Sequence, residues 1–503
     1  MNFKYVTLFI LMTILTSAFI APKKAARTYV SNYENVLGTS LEFKFSAINE
    51  ADADLAEKSA LAEIDRLDNI LSAYKSDSEF SKWIQNGQKT TKISPELFEV
   101  LKQFENYKTL TNGALDASVE MISKIWKKAA NENRLPKPEE LSNATNLVQR
   151  KHYTLNEENL TVTRIDDVPL VLNSFAKSYI INKAAEKAIQ IDGIEKAVVN
   201  IGGDIVVKGV NAETIEITNP KANAENDIPL TNVKISNMAV ATSGNYRRGY
   251  NIDGNWYSHI INPKTGYPVS EIISATVIAT DAIQAGALAT TFNVLSIQDI
   301  KKLALKFTEI EYFLVTKNGE VFKSDGWNNY IMQTENISVT EASTIADKLW
   351  NNKFELLVNL ELVNVESDDG RRTRRPFVAV WVEDEAKKPV RNLAIWYSKP
   401  RWLPDLKSWN RVNGEEFKKV DGKLSSTSAA TRGPGKYSLA WDGKDDSGKL
   451  VKAGNYTVYI EVAREHGTYQ ILSETMKFIG TPKKVEFKPN TELASASLDY
   501  RKK

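Results

Sequence analysis

Cysteine is absent from the 503 residues, and histidine is nearly so, occurring only as His152, His259 and His466. The first absence excludes a disulfide framework, thiolate metal centres, a thiol nucleophile and a lipid anchor on an N-terminal cysteine. The second argues against a multi-histidine metal site, so any metal would be oxygen-bound and hard, such as Mg²⁺ or Ca²⁺. Excess charge of either sign is missing too. Lys and Arg number 65 against 63 Asp and Glu, and the net charge of +2 gives no reason to expect nucleic acid or an anionic membrane as partner. What is plentiful is length, too much for one hydrophobic core, which implies two or three domains.

A sustained apolar run occurs once, at the N-terminus. Lys4 gives a short positive region, residues 6–15 are mostly apolar, and small residues lead to Ala21 before Pro22. This order reads as a signal peptide over 1–21. The run 5–21 is at the short end for a spanning helix, so no stable membrane span is expected after cleavage, and the mature chain is expected in the periplasm or another extracytoplasmic space.

Leu61, Ile64, Leu67, Leu71 and Tyr74 recur at three- and four-residue steps and predict a helix with one buried face. Further helices are expected near 80–83 and over 95–108. The stretch 168–207 reads as strand, helix, strand, and a strand over 273–279 runs into a helix that Asp281 can cap. Strands and helices interleave to about residue 340, an α+β pattern. Past Trp350 the pattern becomes short alternating runs at 354–363, 377–382, 437–441, 456–462 and 475–478, separated by turns such as 441–448. That is the signature of an antiparallel sandwich of about seven strands, immunoglobulin-like in style. The expected division is therefore 28–340, 350–488 and a polar, disordered tail over 489–503.

Four strings carry chemistry-bearing residues. Asn200-Ile201-Gly202-Gly203-Asp204 ends a strand in paired glycines, which fit a bulge or a close backbone approach to a ligand, with a carboxylate suited to a metal or ribose. Ala241-Thr242-Ser243-Gly244-Asn245-Tyr246-Arg247 offers hydroxyls and a guanidinium for phosphate oxygens, or a turn with satisfied hydroxyls. Ser258-His259-Ile260-Ile261-Asn262-Pro263-Lys264-Thr265-Gly266-Tyr267-Pro268 sets a lone histidine ahead of an unusual double corner. The helix from Asp281 to Thr291 puts Gly286 and Thr290 one turn apart on one face, amid small residues that suit close packing.

In this order the strings resemble the ApbE family of FAD:protein FMN transferases. Leu37-Gly38-Thr39 stands where that family usually has Met-Gly-Thr, and Leu71-Ser72-Ala73-Tyr74 precedes a Ser-x-x-Ser-Glu-like loop. Gly113-Ala114-Leu115-Asp116-Ala117-Ser118-Val119 is similar to Gly-Ala-Phe-Asp-Pro-Thr-Val, and Leu172-Asn173-Ser174-Phe175-Ala176-Lys177-Ser178-Tyr179 to Asp-Leu-x-x-Ile-Ala-Lys-Gly-Tyr. The resemblance covers roughly 33–335. It implies an enzyme that moves the FMN half of FAD onto a Ser or Thr hydroxyl of an exported redox protein, releasing AMP with Mg²⁺ assistance. It also implies that Leu37, Tyr74, Ala114, Leu115, Asp116, Lys177, His259 and Ile261 line the FAD site, joined by Thr242 and Ser243 from the phosphate-binding reading. Ser174 and Thr290 would stand at the metal.

Two departures bear on catalysis. The family's metal-binding helix reads Ala-Asp-Ala-Leu-Ala-Thr, whereas this chain has Ala285-Gly286-Ala287-Leu288-Ala289-Thr290, and the Asp-Leu before the Ala-Lys motif is Val171-Leu172. Asp204 or Asp281 is a candidate replacement. A catalytically impaired flavin-binding or interaction protein is the alternative. The C-terminal part resembles a sandwich found in periplasmic proteins of unknown function. Its acidic turn 442–448 reads as a solvated hairpin in preference to a Ca²⁺ loop, and 425–431 as a Ser-rich loop in preference to an FMN-acceptor signature.

Overall fold

The computed structural model describes residues 25–246, 248–331, 349–363, 375–419, 428–429, 431–465 and 467–503. The expected signal peptide and most of the Ser-rich stretch 425–431 lie outside the described residues.

The N-terminal half is built on an eight-stranded antiparallel sheet. Its spatial order is Arg27–Val36, Thr39–Ala47, Ile194–Ile201, Asp204–Gly209, Met238–Gly244, Ile272–Ala279, Ile310–Thr316 and Val321–Lys323. Leu41, Phe43, Phe45 and Ala47 are buried and the residues between them are not, the period-two pattern of a strand with one face on a core. On that face lie helices Glu50–Leu71, Ala176–Ile189 and Ala282–Val294, whose apolar residues join the strands in one cluster. The opposite face carries Val207, Val240, Ile278 and Phe313 under the hairpin Glu213–Ile217/Thr231–Ile235 and the ring of Trp327. A satellite layer packs helices Glu120–Asn131 and Pro138–Val148 against the hairpin Gly249–Ile252/Asn255–Ser258.

Some local expectations shift. The helix expected over 61–74 starts at Glu50, where the Asn49 side chain accepts from the Asp52 N–H, and ends at Leu71. Ser72 Oγ then accepts from the Tyr74 and Lys75 amides, so the chain turns and Tyr74 projects 82% exposed. Residues 168–172 form no ladder. Val171 N–H donates instead to the Ala117 carbonyl at 2.9 Å, which ties two of the sequence strings together.

The C-terminal half is a sandwich of two sheets, as the alternating runs implied. One has the order Gly435–Trp441, Phe354–Leu362, Leu493–Lys502, Lys483–Phe487; the other Ser428–Ala429, Pro389–Trp396, Phe377–Glu383, Gly454–Ala463, Tyr469–Phe478. Strand Phe377–Glu383 is buried on both sides. Val378, Val380 and Val382 point between the sheets, while Phe377, Ala379 and Trp381 lie under a helix, Lys407–Lys419, that sequence periodicity did not reveal. The first turn of that helix is held by the fully buried carboxylate of Glu461, which accepts from the Ser408 and Trp409 amides at 2.8 and 2.7 Å.

The disordered tail expected over 489–503 is corrected. Leu493–Lys502 is an interior strand paired on both edges, with Leu493, Leu498 and Tyr500 buried. Its outward half is polar, so average composition concealed a period-two strand.

Among the described residues the halves touch in two places. Asn32 N–H donates to the Ser398 carbonyl at 2.7 Å, flanked by Arg375–Glu34 and Lys399–Glu57 ion pairs. Elsewhere the Asn226 side chain makes two hydrogen bonds, 2.9 and 2.7 Å, to the backbone of Ala440 on strand Gly435–Trp441.

Candidate active site

Two tight turns define one end of the large sheet. Leu37 and Gly38 have φ of +49° and +76°, and Gly202 and Gly203 have +60° and +103°. Each pair closes a two-residue hairpin, at Val36↔Thr39 and Ile201↔Asp204, and two positive φ values are what a type I′ turn requires. The turns adjoin: a Cβ on Gly202 would stand 2.9 Å from Thr39 Cγ2, so glycine is demanded by both conformation and space. The Gly-Gly pair is thus a hairpin turn, not a bulge. The Gly203 carbonyl accepts from Thr242 N–H at 3.2 Å, bringing the Thr242-Ser243-Gly244 strand end alongside.

Asp204, the first residue after the turn, accepts a 2.8 Å hydrogen bond at Oδ2 from Ser178 Oγ. Ser178 sits on the first turn of Ala176–Ile189, next to Lys177. Surrounding protein withholds water from the Asp204 carboxyl and pushes its pKa up to about 6, against the opposing pull of Ser178 and Lys177. The same desolvation, aided by the charge of Arg248, lowers the Lys177 pKa. The Arg248 carbonyl in turn faces His259 Nδ1 at 3.0 Å. A carbonyl can only accept, so Nδ1 carries the proton and Nε2 presents its lone pair. Partial desolvation lowers the His259 pKa and favours the neutral ring; the hydrogen bond to the Arg248 carbonyl opposes it and the Arg248 charge adds to it.

Thr290 Oγ1 donates to the Ser174 carbonyl at 3.3 Å, so the two positions expected at a metal do meet. Asn173 Nδ2 donates to the Tyr74 hydroxyl at 2.7 Å, holding that exposed ring beside the same segment. Asn293 Nδ2 donates to the Ser243 carbonyl and Thr242 Oγ1 pairs with Thr276 Oγ1. Tyr74 thus adjoins the segment of Ser174 and Thr290, the Thr242-Ser243 strand end adjoins the Gly202-Gly203 turn, and the hairpin of Leu37 and Gly38 sets Thr39 against Gly202.

Four expected residues are buried. Ala114, Leu115, Asp116 and Ile261 are 5% exposed or less. Asp116 is committed internally: it pairs with Lys108 at 2.6 Å and accepts from the Ser118 amide and hydroxyl. The Asp116 carboxylate thus pins the 113–119 loop.

Ser178 was the residue that sequence reasoning passed over. It stands where the family string has glycine, and Gly286 stands where that string has aspartate. A Cβ added to Gly286 would overlap the Ser178 hydroxyl and lie 3.1 Å from Ser178 Cβ and 3.3 Å from Phe175 Cβ. The space of one missing side chain is filled by the other. Asp281, the other candidate, caps the helix, its Oδ1 accepting from the Ile283 and Gln284 amides. Among the described residues no group of three or more His, Asp and Glu could hold a metal ion. The donors at Ser174 and Thr290 are neutral and bonded to each other, a set that does not fit a hard dication.

Residues 37–314 match the ApbE family model, and residues 358–495 match a family described as predicted periplasmic protein (DUF2271). The FAD:protein FMN transferase of Haemophilus influenzae is 32% identical over 278 residues, which are 53% of this chain and 80% of that protein. That of Vibrio cholerae is 30% identical over 276 residues, 53% of this chain and 82% of that protein. The crystal structure of the ApbE protein of Thermotoga maritima superposes with a TM-score of 0.55 at 26% identity, covering 61% of this chain and all of that one. The apo flavinyl transferase ApbE of Pseudomonas stutzeri, at 20% identity and a TM-score of 0.51, shares the fold. The periplasmic match agrees with an extracytoplasmic location, and no helix among the described residues is long and apolar enough to cross a membrane. With a family model spanning more than half of its length and relatives of this similarity, the chain is a transferase and belongs to the ApbE family.

Proposed function

We propose that the chain transfers FMN from FAD to a Ser or Thr hydroxyl of an exported redox protein and releases AMP. The observation that carries this reading is the 3.0 Å contact of the Arg248 carbonyl with His259 Nδ1, which leaves Nε2 free to take a proton. Lys177 is desolvated and lies within electrostatic reach of Arg248, and both lower its pKa against the opposing charge of Asp204. Such a site stores unfavourable positive potential, which a pyrophosphate would discharge on binding. Neutral His259 offers Nε2 to the incoming hydroxyl. As the acceptor oxygen bonds to the FMN phosphorus, its proton passes to Nε2, and the bond from that phosphorus to the bridging oxygen breaks so that AMP leaves. Leu37 and Tyr74 are the apolar and aromatic surfaces for the flavin or adenine.

Mg²⁺ is part of the family's chemistry, but the donor set at Ser174 and Thr290 supplies no carboxylate, and no step here is routed through a metal. That same feature favours a second reading, a flavin-binding relative without transfer. Incubating the protein with FAD and a Ser/Thr acceptor peptide, then weighing the peptide and measuring AMP, separates the two. A peptide carrying one FMN with equimolar AMP supports transfer; bound FAD with an unmodified peptide and no AMP refutes it.

A further inference from the structure

A cavity of about 370 Å³ lies between the two halves of the molecule, away from the hairpin end of the sheet. Its floor is the edge strand Arg27–Val36 and Phe45 on the neighbouring strand. One wall is the first two turns of helix Glu50–Leu71, and the other is the segment 397–417 of the C-terminal half. Helix Glu50–Leu71 does not cover the outermost strand, and the C-terminal half closes over the remaining gap without filling it. The volume is within the range of small-ligand sites, and a junction between domains is where such sites concentrate.

Three features give the cavity chemical character. Ser31 lines it, is only 4% exposed, and its Oγ has no hydrogen-bond partner. A buried hydroxyl without a partner is unfavourable, and a ligand's polar group would satisfy it. Glu50 and Asp54, one helical turn apart on the same face, both line the wall and make no ion pair among the described residues. Glu57, one turn further, is already engaged by Tyr33 and Lys399. On the facing wall the Arg401 guanidinium lies over the Trp402 ring, 5.3 Å from the centroid, and within electrostatic reach of Tyr33. Phe45, Tyr397 and Phe417 supply the apolar body.

We infer that this cavity binds a free α-amino acid with a large apolar side chain. The ammonium group meets Glu50 and Asp54, the carboxylate meets Arg401 and the Ser31 hydroxyl, and the side chain enters the aromatic part. Opposite charges on facing walls select a zwitterion over a simple cation or anion, because either of the latter leaves one wall unpaired. The site involves none of the residues assigned to flavin chemistry, so its failure and that of the proposed transfer are independent.

Calorimetric titration of the full chain with L-phenylalanine and L-leucine tests this. The expected result is saturable binding at or below about 1 mM, weakened by about tenfold or more in N-acetyl-phenylalanine, which lacks the ammonium, and in phenylalanine methyl ester, which lacks the carboxylate. Ser31→Leu fills the cavity and removes the unpartnered hydroxyl, and should abolish binding while leaving FAD binding intact and the unfolding temperature no lower than that of wild type. Arg401→Gln, on an exposed side chain that folding does not depend on, should weaken the amino acid by about tenfold. Absence of binding by both amino acids, binding unaffected by Ser31→Leu and Arg401→Gln, or equal binding of the two blocked derivatives overturns the assignment.

Discussion

Restoring the family's aspartate at position 286 is the sharpest perturbation of the candidate active site. From sequence, Gly286→Asp gains helix propensity of about 0.3 kcal/mol and adds a carboxylate on the Thr290 face. The structure adds an obstacle. The new Cβ overlaps Ser178 Oγ and presses Ser178 Cβ and Phe175 Cβ at 3.1 and 3.3 Å, tighter than ordinary contact. Ser178 must rotate away and give up its 2.8 Å bond to Asp204, worth about 1.5–3 kcal/mol for a charged acceptor, and the overpacking itself costs about 1–3 kcal/mol. The single variant is therefore expected to be about 2–6 kcal/mol less stable than wild type. At about 2–4 °C per kcal/mol for a domain of this size, its melting temperature falls by roughly 4–24 °C. Ser178→Gly removes the obstructing hydroxyl. In the double variant the two changes should couple, recovering at least about 1 kcal/mol relative to the sum of the singles. Thermal unfolding of the four proteins measures that cycle, and Mg²⁺ titration calorimetry measures whether the double variant binds the ion at least about tenfold tighter than wild type. A Gly286→Asp protein that melts with wild type, or a double variant whose effects merely add, would show that the two positions do not share one space.

Three further outcomes follow from the same geometry. Asp204 has a folded pKa of about 6, raised from the ordinary carboxylate value, so the native state binds its proton more tightly and loses stability as pH rises from about 4 to 6. Asp204→Asn should leave the melting temperature unchanged near pH 4 and raise it above wild type at pH 7.5; an equal or lower value at pH 7.5 contradicts the desolvation argument. Lys177→Met removes a cation that the fold strains to hold, so the unliganded protein should melt higher while FAD affinity falls about tenfold or more and loses part of its salt dependence. Leu498→Ala, in the strand first taken for a tail, should cost about 2–5 kcal/mol, and truncation after residue 489 should abolish the cooperative unfolding of the C-terminal half.

What could be read from sequence depended on whether a signal was local. Strand Ile272–Ala279 and its Asp281-capped helix were legible because an apolar run, a polar cap and a helix of small residues follow one another directly. The turn at Gly202-Gly203 was visible as glycines, but its role as one of two adjoining hairpins requires Thr39, far away in the chain. Helix Lys407–Lys419 was missed because its apolar residues are sparse and its N-terminus is capped by Glu461, a partner that only folding supplies. The Ser178–Gly286 exchange was hidden for the same reason: each departure reads as an isolated loss until the two helices are packed together.

The backbone bridges between the halves have a consequence for the chain's behaviour at high concentration. Arg27–Val36 is the open edge of an eight-stranded sheet and Gly435–Trp441 that of the first sheet in the sandwich. Each would present unpaired amides and carbonyls as a template for another chain. Ser398 covers one of these edges and the Asn226 carboxamide imitates a neighbouring strand along the other. Each half thus guards the other against strand-by-strand polymerisation. Cutting the connection between them should leave two folded pieces that aggregate with time, and the intact chain should stay monodisperse under the same conditions.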